Sequence, residues 1–426
     1  MNPDSNTVVL VGYLAGDQNR HKRVYLDSLD ASLHERGYRL MLVDQGGHPV
    51  EGNVMTRRFD PSSAASRSVK QELYDDLSRD RVVQNAVALE AGFLSLPEND
   101  AAERLFSPAA AIIASFIEER PCLALIWHQF NGISMLVTRF CRSHGIPFLY
   151  VHLGPVPGVI VFEPDGQMAE SWIVRENRRF MRLPLSQDDL NRSAAYLEWV
   201  REHFLDRKRQ PEPGTLEYTL RGRANTDRPV IFYAGQNDYR TGMTPRCLPD
   251  AKWHSPLYGN TVEALQHLAG IAAKQKWTVL FKPHPNLKDA GLAPSLPHAE
   301  TVVAAPGANL FECILHSDVT VTILSTSAYQ ALIHRRPVVL LGRMPLTGKR
   351  CAYEVPAKCL AAHTIRRALR NGFTAEQEQF WQRHLAQVLK YYVFAFDEGM
   401  EAIIGRDARQ ASGYLVSILQ GKPVLR

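Results

Sequence analysis

The chain reads as an α/β protein, two successive Rossmann-like halves with parallel sheets followed by a helical tail. Three observations predict this. Short apolar, β-branched runs alternate with stretches of helical period, which is the grammar of a parallel sheet. The alternation stops at Asp206 to Arg228, a stretch rich in charge, proline and glycine, and then restarts. Finally, 426 residues exceed one ordinary core. The expected division is an N-terminal Rossmann-like domain over 1–205, a linker over 206–228, a second Rossmann-like domain over 229–373, and helices over 374–426 that pack back across the domains. The two halves are expected to face one another across a cleft.

In order, Thr7 to Tyr13 is a first buried strand, Leu14 to Asp17 breaks it, and His21 to Gly37 is an amphipathic helix. Arg39 to Asp44 is a second strand, closing a βαβ opening. No G-x-G-x-x-G follows the first strand, so this is not a dinucleotide fingerprint. Residues 50–66 read as irregular, and Ser68 to Ala91 and Asp100 to Arg120 as helical, with Gly92 a stop. Leu123 to Trp127 is a strand, Asn131 to His144 a helix, Pro147 to His152 a strand, and Val159 to Phe162 another after a Gly/Pro loop. Leu185 to Phe204 is a polar helix. The second half repeats the pattern with strands at Pro229 to Ala234, Thr278 to Phe281, Val319 to Leu324 and Pro337 to Leu341. Its helices are expected at Asn260 to Lys276, Asn309 to Leu315 and Thr326 to His334, and Thr374 to Leu419 reads as all helical.

Composition excludes several classes. Hydrophobic content of 45% and charged content of 22% are ordinary for a globular enzyme. A formal net charge of +5 suits an anionic substrate or a membrane surface and is too weak to argue nucleic acid. The six cysteines are scattered without C-x-x-C spacing, which suits a reducing compartment and argues against a zinc cluster or disulfide framework. Met1 to Thr7 lacks the charge and apolar pattern of a secretory signal, and the near-apolar run Pro108 to Ile117 is too short to span a bilayer. The expected location is cytoplasmic, compatible with peripheral attachment at the inner face of the membrane.

Three short motifs follow strands of the second half. Lys282-Pro-His284-Pro285 ends a strand with two locked prolines, so a lysine and a histidine are held stiffly at a carboxyl edge, where open α/β sheets bind ligands. The same tetrapeptide also suits a stiff turn carrying two solvated cations. Gly235-Gln236-Asn237-Asp238 brings a carboxylate to such an edge, and equally suits an Asn-Asp turn. Ser325 and Thr326 offer hydroxyls and N–H groups to an anion, and equally cap a helix. Taken together, Asp238, Lys282, His284, Ser325 and Thr326 converge on one sheet edge and would grip a phosphate with cations and N–H groups. No Asp-x-Asp element sits after a strand, so no metal is expected. In the first half His152 is a candidate base or a hydrogen-bonded strand-end residue, and His128 and Asn131 have the same two readings. Glu163 and Asp165 suit a surface turn or a substrate-facing role, and the arginines at 175, 178, 179 and 182 suit a solvated surface or a hold on anionic lipid.

Over residues 110–345 the chain resembles the capsule polysaccharide biosynthesis family, which includes bacterial β-Kdo transferases, and more distantly other Lys-x-His-Pro glycosyltransferases. The likeness rests on Leu123–Trp127 with Gly145-Ile-Pro147, on His152-Leu-Gly154 through Phe162-Glu-Pro-Asp-Gly166, on Gly235–Asp238, and on Lys282-Pro-His-Pro285 followed by Ser325-Thr326, Ala331-Leu332, Pro337-Val338 and Gly342. The resemblance implies a GT-B fold, no cofactor, and a CMP-activated acidic sugar donor bound by the C-terminal domain. It implies that His284, Ser325 and Thr326 hold the phosphate and sugar carboxylate, with Gln236, Asn237, Lys282 and Gln330 around the donor. It makes Asp238 the candidate nucleophile, a carboxylate facing an oxocarbenium-like transition state. Three positions depart from the family: His152 and Gln330 stand where it has glutamates, and the Gln…Asp motif is shorter. The implied partners are the CMP-sugar and a glycan or glycolipid acceptor. A CDP-activated polyol-phosphate transferase and a non-catalytic binding subunit are the competing readings.

Overall fold

The computed structural model describes residues 6–12, 20–44, 54–58, 60–206, 210–214, 216, 228–285, 296–397 and 399–422. Contacts divide the chain into two compact units. Unit 1 comprises Met1–Gly154, Gly158–Gln167 and Val388–Arg426, and unit 2 comprises Pro155–Pro157 and Met168–Gln387. Each is α/β and built on a largely parallel sheet, followed by a helix-rich C-terminal region, as the alternation predicts.

Unit 1 carries strands β1 (Thr7–Val11), β2 (Arg39–Asp44), β3 (Met55–Arg58), β4 (Leu123–Trp127), β5 (Phe148–Leu153) and β6 (Val159–Glu163). With a late strand, β13 (Phe394–Ala395), they form one sheet in the order β13-β6-β5-β4-β1-β2-β3. Successive residues of β1 and β2 point to opposite sides and are apolar on both. Val9, Val11, Met41 and Val43 pack in one core, and Val8, Leu10, Leu40 and Leu42 in the other. This is why these strands read as continuous apolar runs. The helix Arg20–His34 lies in the second core through Leu26, Leu29 and Leu33, and Gly132–Ser143 in the first through Leu136 and Val137. Helices before and after the return to the sheet's other half therefore cover opposite faces.

Three expectations for this region are corrected. Residues 50–66 are not simply irregular, since β3 and the start of the helix Ala64–Asp76 fall there. The sheet is not wholly parallel: β6 runs antiparallel to β5, and β13 antiparallel to β6. Only residues 154–158 separate β5 from β6, too few for a parallel crossover. The tail is not all helical either. After Ala375–Gln387 come a five-residue π-helical stretch, Val388–Tyr392, the strand β13, and the helices Glu401–Ile404 and Ala408–Leu419. Asp407 starts the last helix with a reciprocal capping box to Gln410. Its face packs on Arg20–His34, with Ser32 and Ser412 hydroxyls 2.7 Å apart and buried.

Unit 2 carries β7 (Val230–Ala234), β8 (Thr278–Lys282), β9 (Val302–Ala304), β10 (Val319–Thr322), β11 (Val338–Leu340) and β12 (Tyr353–Glu354), all parallel, in the order β12-β11-β10-β7-β8-β9. The short strands β9 and β12 were not anticipated. From β7 the chain adds strands on one side and then returns to add them on the other, the doubly wound order. The helix Gln187–Glu202, expected in the first half, belongs to unit 2, and the contact boundary falls at Gln167 rather than at 206–228. Much of that expected linker (207–209, 215 and 217–227) lies outside the described residues. Leu205 and Asp206 accept hydrogen bonds from Gln330, and Gln210 accepts one from Leu310, so the flanks of this polar stretch are anchored within unit 2.

His334, at the end of the helix Ser327–Ile333, stacks on Phe204 at 5.7 Å and meets the edge of Phe311 at 5.4 Å. Burial, with Arg201 and Arg336 nearby, pushes its imidazole down to about 4. Buried His384 is likewise pushed well down. An unfolded chain therefore binds more protons than the folded one below the ordinary histidine range. Stability is full above about pH 6.5 and declines as pH falls toward 4. Thermal unfolding across that window should show His334→Phe, which keeps the ring packing, losing less stability on acidification than the wild type.

Candidate functional site

The candidate site lies at the carboxyl edge of the unit 2 sheet, where β7 and β10 are neighbours and the strand order reverses. Right-handed crossovers carry the helices after β7 and after β10 to opposite faces, so the loops leaving these two strands part. Gly235–Asp238 leaves β7, Ile323–Thr326 leaves β10, and Pro283–His284 leaves β8. The sequence motifs are therefore neighbours because of topology.

Gly235 is dictated by space. Its N–H donates to the Lys282 carbonyl at 3.0 Å, and a Cβ there would lie 3.2 Å from that oxygen and 3.3 Å from His284 N. The β7 and β8 exits are thereby pressed together. Gln236, 2% exposed, bridges the loops: its amide donates to Asp238 Oδ1 at 2.8 Å and to Thr261 Oγ1 at 2.6 Å, and its carbonyl accepts from Leu324 N at 3.4 Å. Thr322, at the end of β10, donates to the Ala234 carbonyl at 3.0 Å and accepts from Ser325 N at 3.1 Å. Asn237 is buried and accepts from Arg240 N at 3.1 Å, closing the following turn.

Asp238 is 6% exposed and both its oxygens are engaged. Oδ2 accepts from Thr261 N at 2.8 Å, and Oδ1 from Thr261 Oγ1 at 2.5 Å and from Gln236. Thr261 opens the helix Thr261–Gln275, so the carboxylate neutralises an otherwise orphan N–H at a helix start. Burial raises the Asp238 pKa, and these three donors oppose the rise. In this arrangement Asp238 ties a loop to a helix. Thr261 was missed in the sequence, where it falls without distinction inside the helix expected at Asn260 to Lys276.

Lys282 and Gln330 do not join the Gln236–Asp238 cluster. Desolvation pushes the Lys282 ammonium below the ordinary lysine range, offset by Cys313 and Asp206. Gln330, 3% exposed, donates to the Leu205 carbonyl at 3.0 Å and to Asp206 Oδ1 at 3.2 Å. Asp206, not singled out from the sequence, accepts the Gln330 bond, and its charge also favours the Lys282 ammonium. His284 is half-buried beside Gly235. Ser325 and Thr326 are also partly accessible; the Ser325 hydroxyl lies 2.9 Å from that of Ser327, and Thr326 makes no side-chain cap to the helix Ser327–Ile333. His284, Ser325 and Thr326, like Lys282, are thus partly accessible residues at the strand exits.

In unit 1, His152 is the penultimate residue of β5, which runs one residue past the expected strand end. It is paired across the antiparallel ladder with Val161, and its Nδ1 is 2.8 Å from the Leu153 carbonyl, which fits the strand-end reading of this histidine. Among the described residues no group of three or more His, Cys, Asp or Glu has a metal-binding arrangement, and no helix is long and apolar enough to cross a membrane.

Removing the Asp238 carboxylate strands three buried donors. Asp238→Ala is expected to destabilise the chain by on the order of 3 kcal/mol in urea unfolding, and Asp238→Asn, which keeps one acceptor but turns an amide toward Gln236, by about 1–2 kcal/mol. Wild-type stability in both variants would contradict the structural role described here.

No protein-family model matches the chain, and no curated protein sequence matches it. Among solved structures it is similar to KpsC of Thermosulfurimonas dismutans, a β-Kdo 2,7-transferase, at 16% identity over 72% of this chain and 89% of that one, with a TM-score of 0.42. It is also similar to sucrose-phosphate synthase of Thermosynechococcus elongatus, at 13% identity over 98% and 100% of the two chains and a TM-score of 0.42. A third is UDP-GlcNAc 2-epimerase of Methanocaldococcus jannaschii, at 10% identity over 97% and 99% and a TM-score of 0.39. These likenesses assign no residue of this chain a role.

Proposed function

We propose that the chain is a glycosyltransferase of the GT-B type, moving an acidic sugar from a CMP-activated donor to a glycan or glycolipid acceptor at the inner face of the cytoplasmic membrane. One observation carries the reading: the exits of β7, β8 and β10 meet at the doubly wound reversal of unit 2, and bring His284, Ser325 and Thr326 there as accessible groups. A histidine and two hydroxyls suit a phosphate ester, and the carboxyl edge at a strand-order reversal is the general place for a nucleotide in such sheets. The motif resemblance to the β-Kdo transferases points the same way, as does the modest positive charge.

Within this reading His284, Ser325 and Thr326 contact the donor phosphate. Gln236, Asn237 and Asp238 shape the loop under it. Gln330 acts at one remove, through Asp206, and Lys282 stands at the end of β8 beside the same edge. The nucleophile role that the resemblance gives to Asp238 requires one carboxylate oxygen to be released from Thr261 or Gln236. We therefore assign Asp238 a positioning role.

The test is the melting temperature of the full chain with CMP, CDP and UMP. A ligand at about 100 times its Kd adds about 2.7 kcal/mol of stability. CMP should raise the wild-type melting temperature at least as much as CDP, and UMP less. His284→Ala and the double variant Ser325→Ala/Thr326→Ala should lose the CMP response while unfolding like the wild type without ligand. A response to CDP alone would favour the polyol-phosphate reading, and no response to any cytidine nucleotide would overturn the transferase reading.

A further inference from the structure

The helix Ala361–Asn371 of unit 2 divides its residues between two faces. Ala361, Thr364, Ile365 and Ala368 are buried, at spacings of three and four, and on that side the helix packs on β11 and β12. The opposite side carries His363, Arg366, Arg367 and Arg370, all exposed. Their spacing of three, four and seven places them in one stripe along the helix. The helix contains no aspartate or glutamate. Arg335, Arg350 and Lys358 of the same unit each meet a glutamate, at 2.7, 2.5 and 2.8 Å. Among the described residues, Arg366, Arg367 and Arg370 meet none. Their contacts are neutral: Arg367 stands over the Tyr353 ring at 5.1 Å, and Arg370 Nε donates to Asn371 Oδ1 at 3.2 Å.

Such a stripe is held against repulsion. Arg366 and Arg370 are four residues apart and Arg367 and Arg370 three, spacings at which like charges destabilise a helix. A surface of opposite sign laid against the stripe removes that repulsion. Leu360, 43% exposed, precedes the helix by one residue and lies three before His363 and seven before Arg367, on the same side. An exposed leucine at the end of a cationic stripe suits the boundary of an anionic bilayer, with guanidinium groups on lipid phosphates and the apolar side chain beneath them. A nucleic acid would use the arginines and leave Leu360 in water. Arg178, Arg179 and Arg182 are exposed too, but the helix carrying the first two, Asn177–Phe180, has four residues, and exposed Glu176 stands next to it.

We propose that the face of Arg366, Arg367 and Arg370 docks on an anionic lipid surface, with Leu360 entering the headgroup layer. The inference rests on the transferase reading for its expectation of a membrane, and it names the surface of this chain that meets one.

The experiment is co-sedimentation of the full chain with vesicles of phosphatidylcholine, alone or mixed with phosphatidylglycerol. The wild type should pellet with the mixed vesicles at low ionic strength, stay in solution with phosphatidylcholine alone, and be released by salt. Arg366→Gln/Arg367→Gln/Arg370→Gln should bind the mixed vesicles roughly a hundredfold more weakly, at about fivefold per arginine. It should unfold no earlier than the wild type, because glutamine is close to arginine in helix propensity. Leu360→Ser keeps every charge and should bind severalfold more weakly. Arg178→Gln/Arg179→Gln/Arg182→Gln, an equal loss of charge, should bind like the wild type. The proposal is overturned if the wild type ignores the mixed vesicles, if the two triple variants weaken binding equally, if Leu360→Ser binds as the wild type does, or if single-stranded DNA binds through the stripe and vesicles do not. A chain that ignores cytidine nucleotides but passes the vesicle test sinks the transferase reading and leaves this surface standing; one that responds to CMP and stays off the vesicles does the reverse.

Discussion

The handedness of the parallel crossover is the constraint on which this structure depends. A strand, helix, parallel-strand connection packs back on its sheet in only one hand. A chain that begins in the middle of a sheet, as at β1 and again at β7, must send its helices to one face while it adds strands in one direction. It must use the other face when it returns to add them in the other. The loops beside the starting strand are thereby pulled apart, and whatever side chains stand there face an opening that no local interaction had to create. Unit 1 displays the consequence in its packing, with Leu26 and Leu136 in separate cores on either side of β1.

Within that opening, side chains divide into those that build the edge and those that remain accessible. Gln236, Asp238, Thr261 and Thr322 spend their polar atoms on one another and on the backbone, and all four are nearly or wholly buried. A buried carboxylate with three donors is satisfied, and a satisfied group is a poor reagent. Gln330 is held by Asp206 and by the Leu205 carbonyl, which orders the segment after the helix Gln187–Glu202, while Lys282 is largely desolvated. What the edge leaves accessible is a smaller set than the motifs suggested.

The α/β class, the strands of both starting halves and the location of Lys282-Pro-His-Pro285 at a strand end were legible in the sequence, because parallel strands buried on both faces must be continuous apolar runs. The residues at the reversal of unit 2 were legible for the same reason, since strand exits are where periodicity stops. The rest was hidden by length or by partners remote in sequence. β9, β12 and β13 have three, two and two residues, too few to display a period. The polar stretch after Phe204 looked like a junction, yet its anchors are Gln330 and Leu310, which lie 125 and 100 positions from the residues they bond. The donor partners of Asp238 leave no mark in composition, because they depend on which residues tertiary structure brings near.

The return of the C-terminal segment to unit 1 has a consequence for how the molecule is made. Val388 onward supplies the edge strand β13 and the helix Ala408–Leu419, whose Leu415 and Val416 share a core with Val8 and Leu10 near the N-terminus. During vectorial synthesis, every segment of unit 2 has been polymerised before that cover exists. One apolar face of unit 1 must wait, unfinished, while more than two hundred intervening residues are added. The ribosome thus hands the cell a nascent chain whose later-started half can finish first, and the interval until residue 388 emerges is when a chaperone would have most to hold.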